Sequence, residues 1–262
     1  MRFLPETGDL RGDADRIINR ALTDAMPGNA VRECLRNMDL PGSVTLVAIG
    51  KAAWDMAEAA VNNLGDRIRQ GVVITKYDHS RGDLPRLHIF EAGHPVPDEN
   101  TFSATREAIE MVRLLGEGDM VLFLVSGGGS ALFEQPLVTP GELQDVTRQL
   151  LACGADITEI NAIRKRFSAV KGGRFAELCA PARVVSIILS DVLGDRLDAI
   201  ASGPAVPDAT TCAEAVAIVN KYGLILSDGA RQLLNVETPK AVDNAEHHLI
   251  GSVRQLCASA AA

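Results

Sequence analysis

Residues 120–132 read MVLFLVSGGGSAL, and this stretch constrains the fold more than any other. Val121, Leu122, Phe123, Leu124 and Val125 are apolar without alternation, the pattern of a parallel strand covered on both faces. At about 1.5–3 kcal/mol for each fully buried large side chain, such a strand belongs inside a sheet and not on a wet edge. The run stops at Ser126, Gly127, Gly128, Gly129 and Ser130, and helix-compatible sequence resumes at Ala131. Three consecutive glycines free the backbone so that successive N–H groups can converge on an anion. The same residues equally suit a tight strand-to-helix turn with no ligand.

The remainder of the chain repeats this strand–loop–helix pattern. Val44–Ile49 is expected as a strand that runs into Gly50, Lys51, Ala52 and Ala53, placing a lysine at the mouth of a βα unit. This is not a Walker A loop, because Ala52 stands where Ser or Thr is required. Strands are also expected at 71–76, 87–90, 183–189 and 247–250, with helices between them. His94 lies between Gly93 and Pro95 at a strand end, and Asp98 suits a helix N-cap. His94 is expected as a hydrogen-bonded structural residue, with substrate contact as the alternative. The fold class is therefore α/β, a three-layer Rossmann-like domain with a mainly parallel sheet.

Composition narrows the function. The chain has 262 residues and a net charge of -8, with lysines and arginines scattered, so a nucleic-acid partner is not expected. No apolar run reaches membrane-spanning length, and no membrane partner is expected. Five widely spaced cysteines fit neither a disulfide framework nor a zinc site, and imply a reducing, cytoplasmic location.

Two further stretches carry chemistry. In DITEINAIRKRFSAVKGGR, Asn161, Arg164, Ser168 and Lys171 recur at spacings of three and four, which places them on one helical face. A solvated charged face is the plain explanation; a ligand-facing one is the alternative. After the 183–189 strand, Asp191 and Asp195 are suited to holding Mg²⁺ or accepting a hydroxyl proton. Ser202 lies in the small loop IASGP.

Taken in order, GKAA (50–53), GHPVPD (93–98), SGGGSAL (126–132), INAIRKRFSAVKGGR (160–174), SDVLGD (190–195) and IASGP (200–204) resemble the glycerate 2-kinase family. That family comprises two-domain enzymes with a C-terminal MOFRL domain, formerly described as hydroxypyruvate reductases. The resemblance implies ATP-dependent phosphorylation of D-glycerate at its 2-hydroxyl, with Mg²⁺, in a cleft between two domains. It divides the chain into a Rossmann-like domain over residues 1–240 and, over 241–262, the start of a C-terminal domain that is largely missing. The isolated chain is accordingly expected to turn over little substrate.

With that resemblance, Lys51 is assigned to the transferring phosphoryl group and Asp191 to the substrate hydroxyl. Asp195 is the metal candidate. Ser126, Gly127, Gly128, Gly129, Ser130, Asn161, Arg164, Lys171 and Ser202 are assigned to phosphate or substrate. The expected partners are D-glycerate and nucleotide, with a homodimer as one possible assembly. Two alternatives stand beside this assignment. An NAD(P)H-dependent hydroxypyruvate reductase calls for G-x-G-x-x-G after the first strand, where the chain has GKAA. A non-catalytic nucleotide or organic-acid binding module needs no turnover at all.

Overall fold

A computed structural model describes residues 9–261 apart from 41 and 193, so Leu193 of the SDVLGD block and Ala262 lie outside the described residues. Six strands form one sheet: β1 (Val44–Ile49), β2 (Ile68–Lys76), β3 (Leu87–Ala92), β4 (Met120–Val125), β5 (Arg183–Leu189) and β6 (Ala245–Gly251). Their order is β3-β2-β1-β4-β5-β6 and every pairing is parallel. The all-parallel arrangement explains the unbroken apolar runs. β1 and β4 are buried at every position, because helices cover both faces.

Two apolar layers flank the sheet. One gathers Val47, Ile49, Phe123, Phe133 and Phe175, with the three phenylalanine rings in mutual contact at centroid separations of 4.7–5.9 Å. The other packs Leu46, Ala48, Leu122 and Leu124 against the Ala53–Leu64 helix and its Trp54 and Met56. Alternate residues of the same strand thus serve opposite layers, as the pleat requires. A third cluster lies outside the sheet. It joins the Pro140–Ala152, Ile157–Arg166, Cys212–Tyr222 and Asp228–Leu233 helices through Leu150, Ile163, Phe167 and Val219.

Local signals fix several element ends. Asp98 caps the Glu99–Val112 helix by accepting from Thr101 N, and the Thr101 hydroxyl reciprocates toward Asp98 N. Pro27 opens the second N-terminal helix, Pro27–Arg36, after the first ends at Asp24.

Residues 245–261 do not stand apart from the sheet. β6 pairs with β5 from Val184↔Ala245 to Leu189↔Gly251, completing the same sheet, and the Val253–Ala261 helix packs on the Leu10–Asp24 helix. Nor is the 157–171 segment one continuous helix. It stops at Arg166 because the chain beyond pairs with residues 135–137 instead, through Leu137 N to Phe167 O (2.8 Å) and Ala169 N to Gln135 O (2.8 Å). Asn161, Arg164, Ser168 and Lys171 therefore do not share a helical face.

Gly71 tests this packing directly. In β2, between β1 and β3, a Cβ there would overlap the Leu46 carbonyl oxygen and approach Leu87 Cδ2 to 2.7 Å. Gly71→Ala is expected to cost about 1–3 kcal/mol by overpacking. Urea denaturation reads this as a lowered midpoint with unchanged slope; an unchanged midpoint would contradict the strand register.

Candidate functional site

The strand order reverses between β1 and β4. β2 and β3 lie to one side, and β5 and β6 to the other. In open α/β sheets the crevice beyond the strand carboxyl ends at such a reversal is where ligands bind. The loops leaving β1 and β4 are Gly50–Ala52 and Ser126–Gly128, so Lys51 and the glycine loop meet at the switch point.

Ser126 ties these loops together. Its backbone N–H donates to Ile49 O (3.0 Å), its hydroxyl donates to the same carbonyl (3.1 Å), and its Oγ accepts from Ala52 N (3.0 Å). Lys51 N donates to Gly127 O at 2.9 Å. Gly50 has φ 110°, and a side chain there would collide with Ser126. Ser126 is 1% exposed, and these bonds give its hydroxyl a positioning role in place of the expected ligand contact.

The glycine loop is lined on both sides. On one, the Asp191 carboxylate occupies the space a Gly127 Cβ would take. On the other, His94 Cδ2 and Nε2 lie 3.0 Å, and Lys51 Cγ 3.3 Å, from where a Gly128 Cβ would stand. Gly128 has φ 90°, a left-handed conformation that glycine adopts without strain. Among the described residues, the N–H groups of Gly127 and Gly128 find no protein acceptor and remain available to an anion. The helix beyond, Gly129–Leu132, is a single turn, so the loop amides and Lys51 must supply most of the attraction that a longer helix dipole would share.

Behind the loop runs a polar relay. Ser130 Oγ meets Ser202 Oγ at 3.1 Å, and Ser202 Oγ donates to Asn161 Oδ1 at 3.1 Å. Arg164 donates from its NH2 group to Ser130 O at 2.9 Å, and its Nε is buried with no partner among the described residues. Burial lowers the guanidinium pKa, with the Glu134 charge opposing. Ala201 and Ser202 both have positive φ (51° and 62°), a conformation costing about 1–3 kcal/mol each, and Ala201 Cβ lies 2.8 Å from the point a Gly129 Cβ would occupy. That close approach requires glycine at 129.

The structure brings Lys51, Asp191 and Gly127–Gly129 to one crevice and sets Ser130, Asn161, Arg164 and Ser202 directly behind it. It removes Lys171 from the ligand set. Its ammonium is 0% exposed, lies 2.8 Å from a Glu134 carboxylate oxygen and donates to Phe133 O at 2.7 Å. Burial pushes its pKa down to about 8, against the opposing Glu134 charge. The Glu134 contact is close but poorly directed, so both its oxygens lack a well-formed hydrogen bond. Asp195, half-buried at φ 51°, joins no group of three or more metal-ligating side chains among the described residues.

Sequence reasoning also passed over a buried charge cluster. Lys165 Nζ donates to Asp208 Oδ1 at 3.0 Å, and Arg166 lies 3.8 Å from Asp208 Oδ2 and 3.3 Å from Glu237. Lys165, Arg166 and Asp208 are at most 2% exposed, so this part of the expected charged face is interior. Its signal in the sequence was an acidic residue 43 positions away, which no local spacing reveals.

A parallel sheet whose strand order reverses at a crevice lined by a glycine loop, a lysine and a carboxylate defines a doubly wound α/β domain. Residues 13–235 match the family model described as "Domain of unknown function (DUF4147)", and the chain belongs to that family. It is 52% identical over 257 residues to D-glycerate 2-kinase of Thermotoga maritima, covering 97% of this chain and 61% of that protein. Human glycerate kinase is 38% identical over 223 residues, covering 79% of this chain and 43% of that one. The crystal structure of the Thermotoga maritima glycerate kinase superposes with a TM-score of 0.94 at 52% identity, over 98% of this chain and 62% of the other. These similarities bear out the glycerate 2-kinase resemblance of the six sequence blocks, and the chain spans about three fifths of the length of its Thermotoga relative.

The charge cluster yields a stability prediction. Burial pushes the Asp208 carboxyl pKa up, but hydrogen bonds from Thr238, Lys165 and Thr210 and the Lys165 charge outweigh it, and the net pKa is lowered. The stabilisation is complete above the unfolded carboxylate's pKa of about 4, and is lost as pH falls through the lower folded value. Asp208→Asn leaves buried Lys165 without its carboxylate, while Arg166 keeps Glu237, and is expected to cost about 3–5 kcal/mol at pH 7. Its stability should also fall less steeply below about pH 4 than that of the unmodified chain. Equal denaturation midpoints at pH 7 would contradict this.

Proposed function

We propose that this chain carries the substrate-binding face of an ATP-dependent D-glycerate 2-kinase, which phosphorylates the 2-hydroxyl to give 2-phosphoglycerate. The observation that carries this reading is the meeting of Lys51, the Gly127–Gly128 amides and Asp191 at the switch point. The names of the Thermotoga and human relatives support the same reaction class.

Phosphoryl transfer calls for positioning and charge neutralisation more than for covalent chemistry. Lys51 is held by its own backbone bond to Gly127, which roots its side chain beside Gly128 at the crevice. At about 4 Å from a phosphoryl oxygen and an effective dielectric near 20, it contributes a bare attraction of about 4 kcal/mol. The free Gly127 and Gly128 amides add directed hydrogen bonds to the oxyanion. Asp191 is exposed at the β5 carboxyl end, where it can orient the glycerate 2-hydroxyl and accept its proton. Arg164, buried with an unpaired Nε behind Ser130, is the candidate for the substrate carboxylate.

The donor set fits Mg²⁺ only as an ion carried on nucleotide phosphates. Mg²⁺ in such sites needs one or two carboxylates and keeps several waters, and Asp191 offers one beside the loop. When bound, the ion would neutralise charge on the phosphates. Asp195 is the second candidate to contact it. A caged all-protein site does not fit, since no cluster of three ligands exists among the described residues.

The reductase alternative shares the strand order of dinucleotide-binding folds but lacks their glycine fingerprint on β1, where Lys51 follows a single glycine.

A coupled assay with D-glycerate and ATP–Mg²⁺, run on the chain alone and on the chain joined to the remaining length of its relatives, tests the reading. Turnover is expected in the joined protein, without NADH oxidation on hydroxypyruvate. Lys51→Ala and Asp191→Asn are each expected to lower kcat by at least about 100-fold, in the range of losing an electrostatic or acid–base group. Near-normal turnover in either variant would overturn that residue's assignment.

A further inference from the structure

His94 stands in the crevice without a structural task for its ring nitrogens. Among the described residues neither nitrogen has a hydrogen-bond partner, whereas His79 Nδ1 meets Lys51 O at 3.1 Å and His88 Nδ1 contacts Glu107. The ring packs against the glycine loop. Its Nε2 edge lies 3.0 Å from the Cβ position of Gly128, beside the Lys51 side chain. The turn that carries it is rigid at its root. A Cβ at Gly93 would lie 2.5 Å from Val96 O and 3.0 Å from the Asp98 carboxylate. Asp98 is itself fixed by bonds from Thr101 N (3.0 Å) and the Tyr77 hydroxyl (2.7 Å). Loops from three strand ends, β1, β3 and β4, therefore converge on one point, where the imidazole lies against the backbone of Gly128 and beside Lys51.

Building on the kinase reading, we propose that His94 contacts substrate, donating a hydrogen bond from Nε2–H to the oxyanion held between Lys51 and the Gly127–Gly128 amides. The ligand chemistry is a phosphoryl or carboxylate oxygen. The charged groups around the ring favour donation over proton abstraction. Burial lowers the His94 pKa, and Lys51, Lys76 and His79 lower it further, with Asp191 opposing. A weakly basic imidazole is a poor general base, yet its neutral form donates from one ring nitrogen without needing a charge. Asp191, on the opposite side of the loop, is left as the proton acceptor. A donor aimed at charge that develops during transfer contributes to the transition state more than to ground-state binding.

The test combines two readouts. In the chain carrying ¹⁵N-labelled histidine, the His94 Nε2 resonance is followed as inorganic phosphate, tripolyphosphate or D-glycerate is added, with calorimetry recording binding of each. A His94 shift with the phosphates alone identifies a phosphoryl ligand, and one with D-glycerate alone a carboxylate; both support the proposal. In the joined protein, His94→Ala is expected to lower kcat about 100-fold with a smaller change in KM. His94→Gln, which keeps an amide donor near the Nε2 position, should recover part of that loss. Unchanged thermal midpoints in both variants separate this from unfolding. Calorimetric binding with an unmoved His94 resonance, or equal kinetics for His94→Ala and the unmodified enzyme, would overturn the His94 role while leaving the kinase reading intact. Absence of binding by all three probes, together with no turnover in the joined protein, would overturn both.

Discussion

The junction between β1 and β4 governs the rest of the molecule. These two central strands run parallel from Val44↔Met120 to Ile49↔Val125, and Ser126 extends their pairing one residue past the sheet edge by bonding Ile49 O. That bond places the β4 loop against the β1 loop at the one position where the sheet reverses direction. Gly50 is required for the approach, and the Ser126 hydroxyl holds the first turn of the next loop through Ala52 N. The apolar strands supply the energy that keeps the junction dry. Among the described residues, only the Gly127 and Gly128 amides of this junction are left without an internal acceptor. A buried scaffold thus presents unsatisfied amides to solvent at a single edge, which is how a sheet becomes a binding site without distorting its core.

Support for the crevice extends two layers deep. Ser130, Ser202, Asn161 and Arg164 form a bonded relay that joins the glycine loop to the helical cluster outside the sheet. That cluster is anchored by the interior Lys165–Arg166–Asp208 group and by the Lys171–Glu134 pair. Buried ion pairs add little net stability compared with apolar packing, but they permit few arrangements, because each charge must find its partner. Here they fix the 157–175 segment, whose backbone from Phe167 to Gly173 has only an isolated bridge from Ser168 to Pro136, against the floor of the site.

Much of the fold was legible because its signals are local. The Arg183–Leu189 and Val44–Ile49 strands match the expected residues, and Asp98 is the N-cap its position implied. What sequence could not show is which distant residues meet. β6 pairs with β5, which lies over 55 residues earlier, and a strand carries no mark of the partner it will meet. Lys171 had the spacing of a ligand-facing residue, and only the buried Glu134 beside it reveals its structural role. His94 was visible as a rigid turn, but its approach to Gly128 depends on a loop crossing from β3 over two strands. Lys51, Asp191 and the glycine loop, which the structure brings to one crevice, all sit at strand carboxyl ends, where topology alone is sufficient to bring them together.

The proposed oxyanion site in the β1–β4 crevice is open to direct test. The most direct measurement is the change in backbone amide ¹H–¹⁵N shifts when tripolyphosphate is titrated into the chain. The account predicts the largest saturable shifts at Gly127 and Gly128, whose N–H groups are free, with Lys51 following. Shifts absent from these residues, or concentrated instead on the Ile157–Arg166 helix, would contradict it.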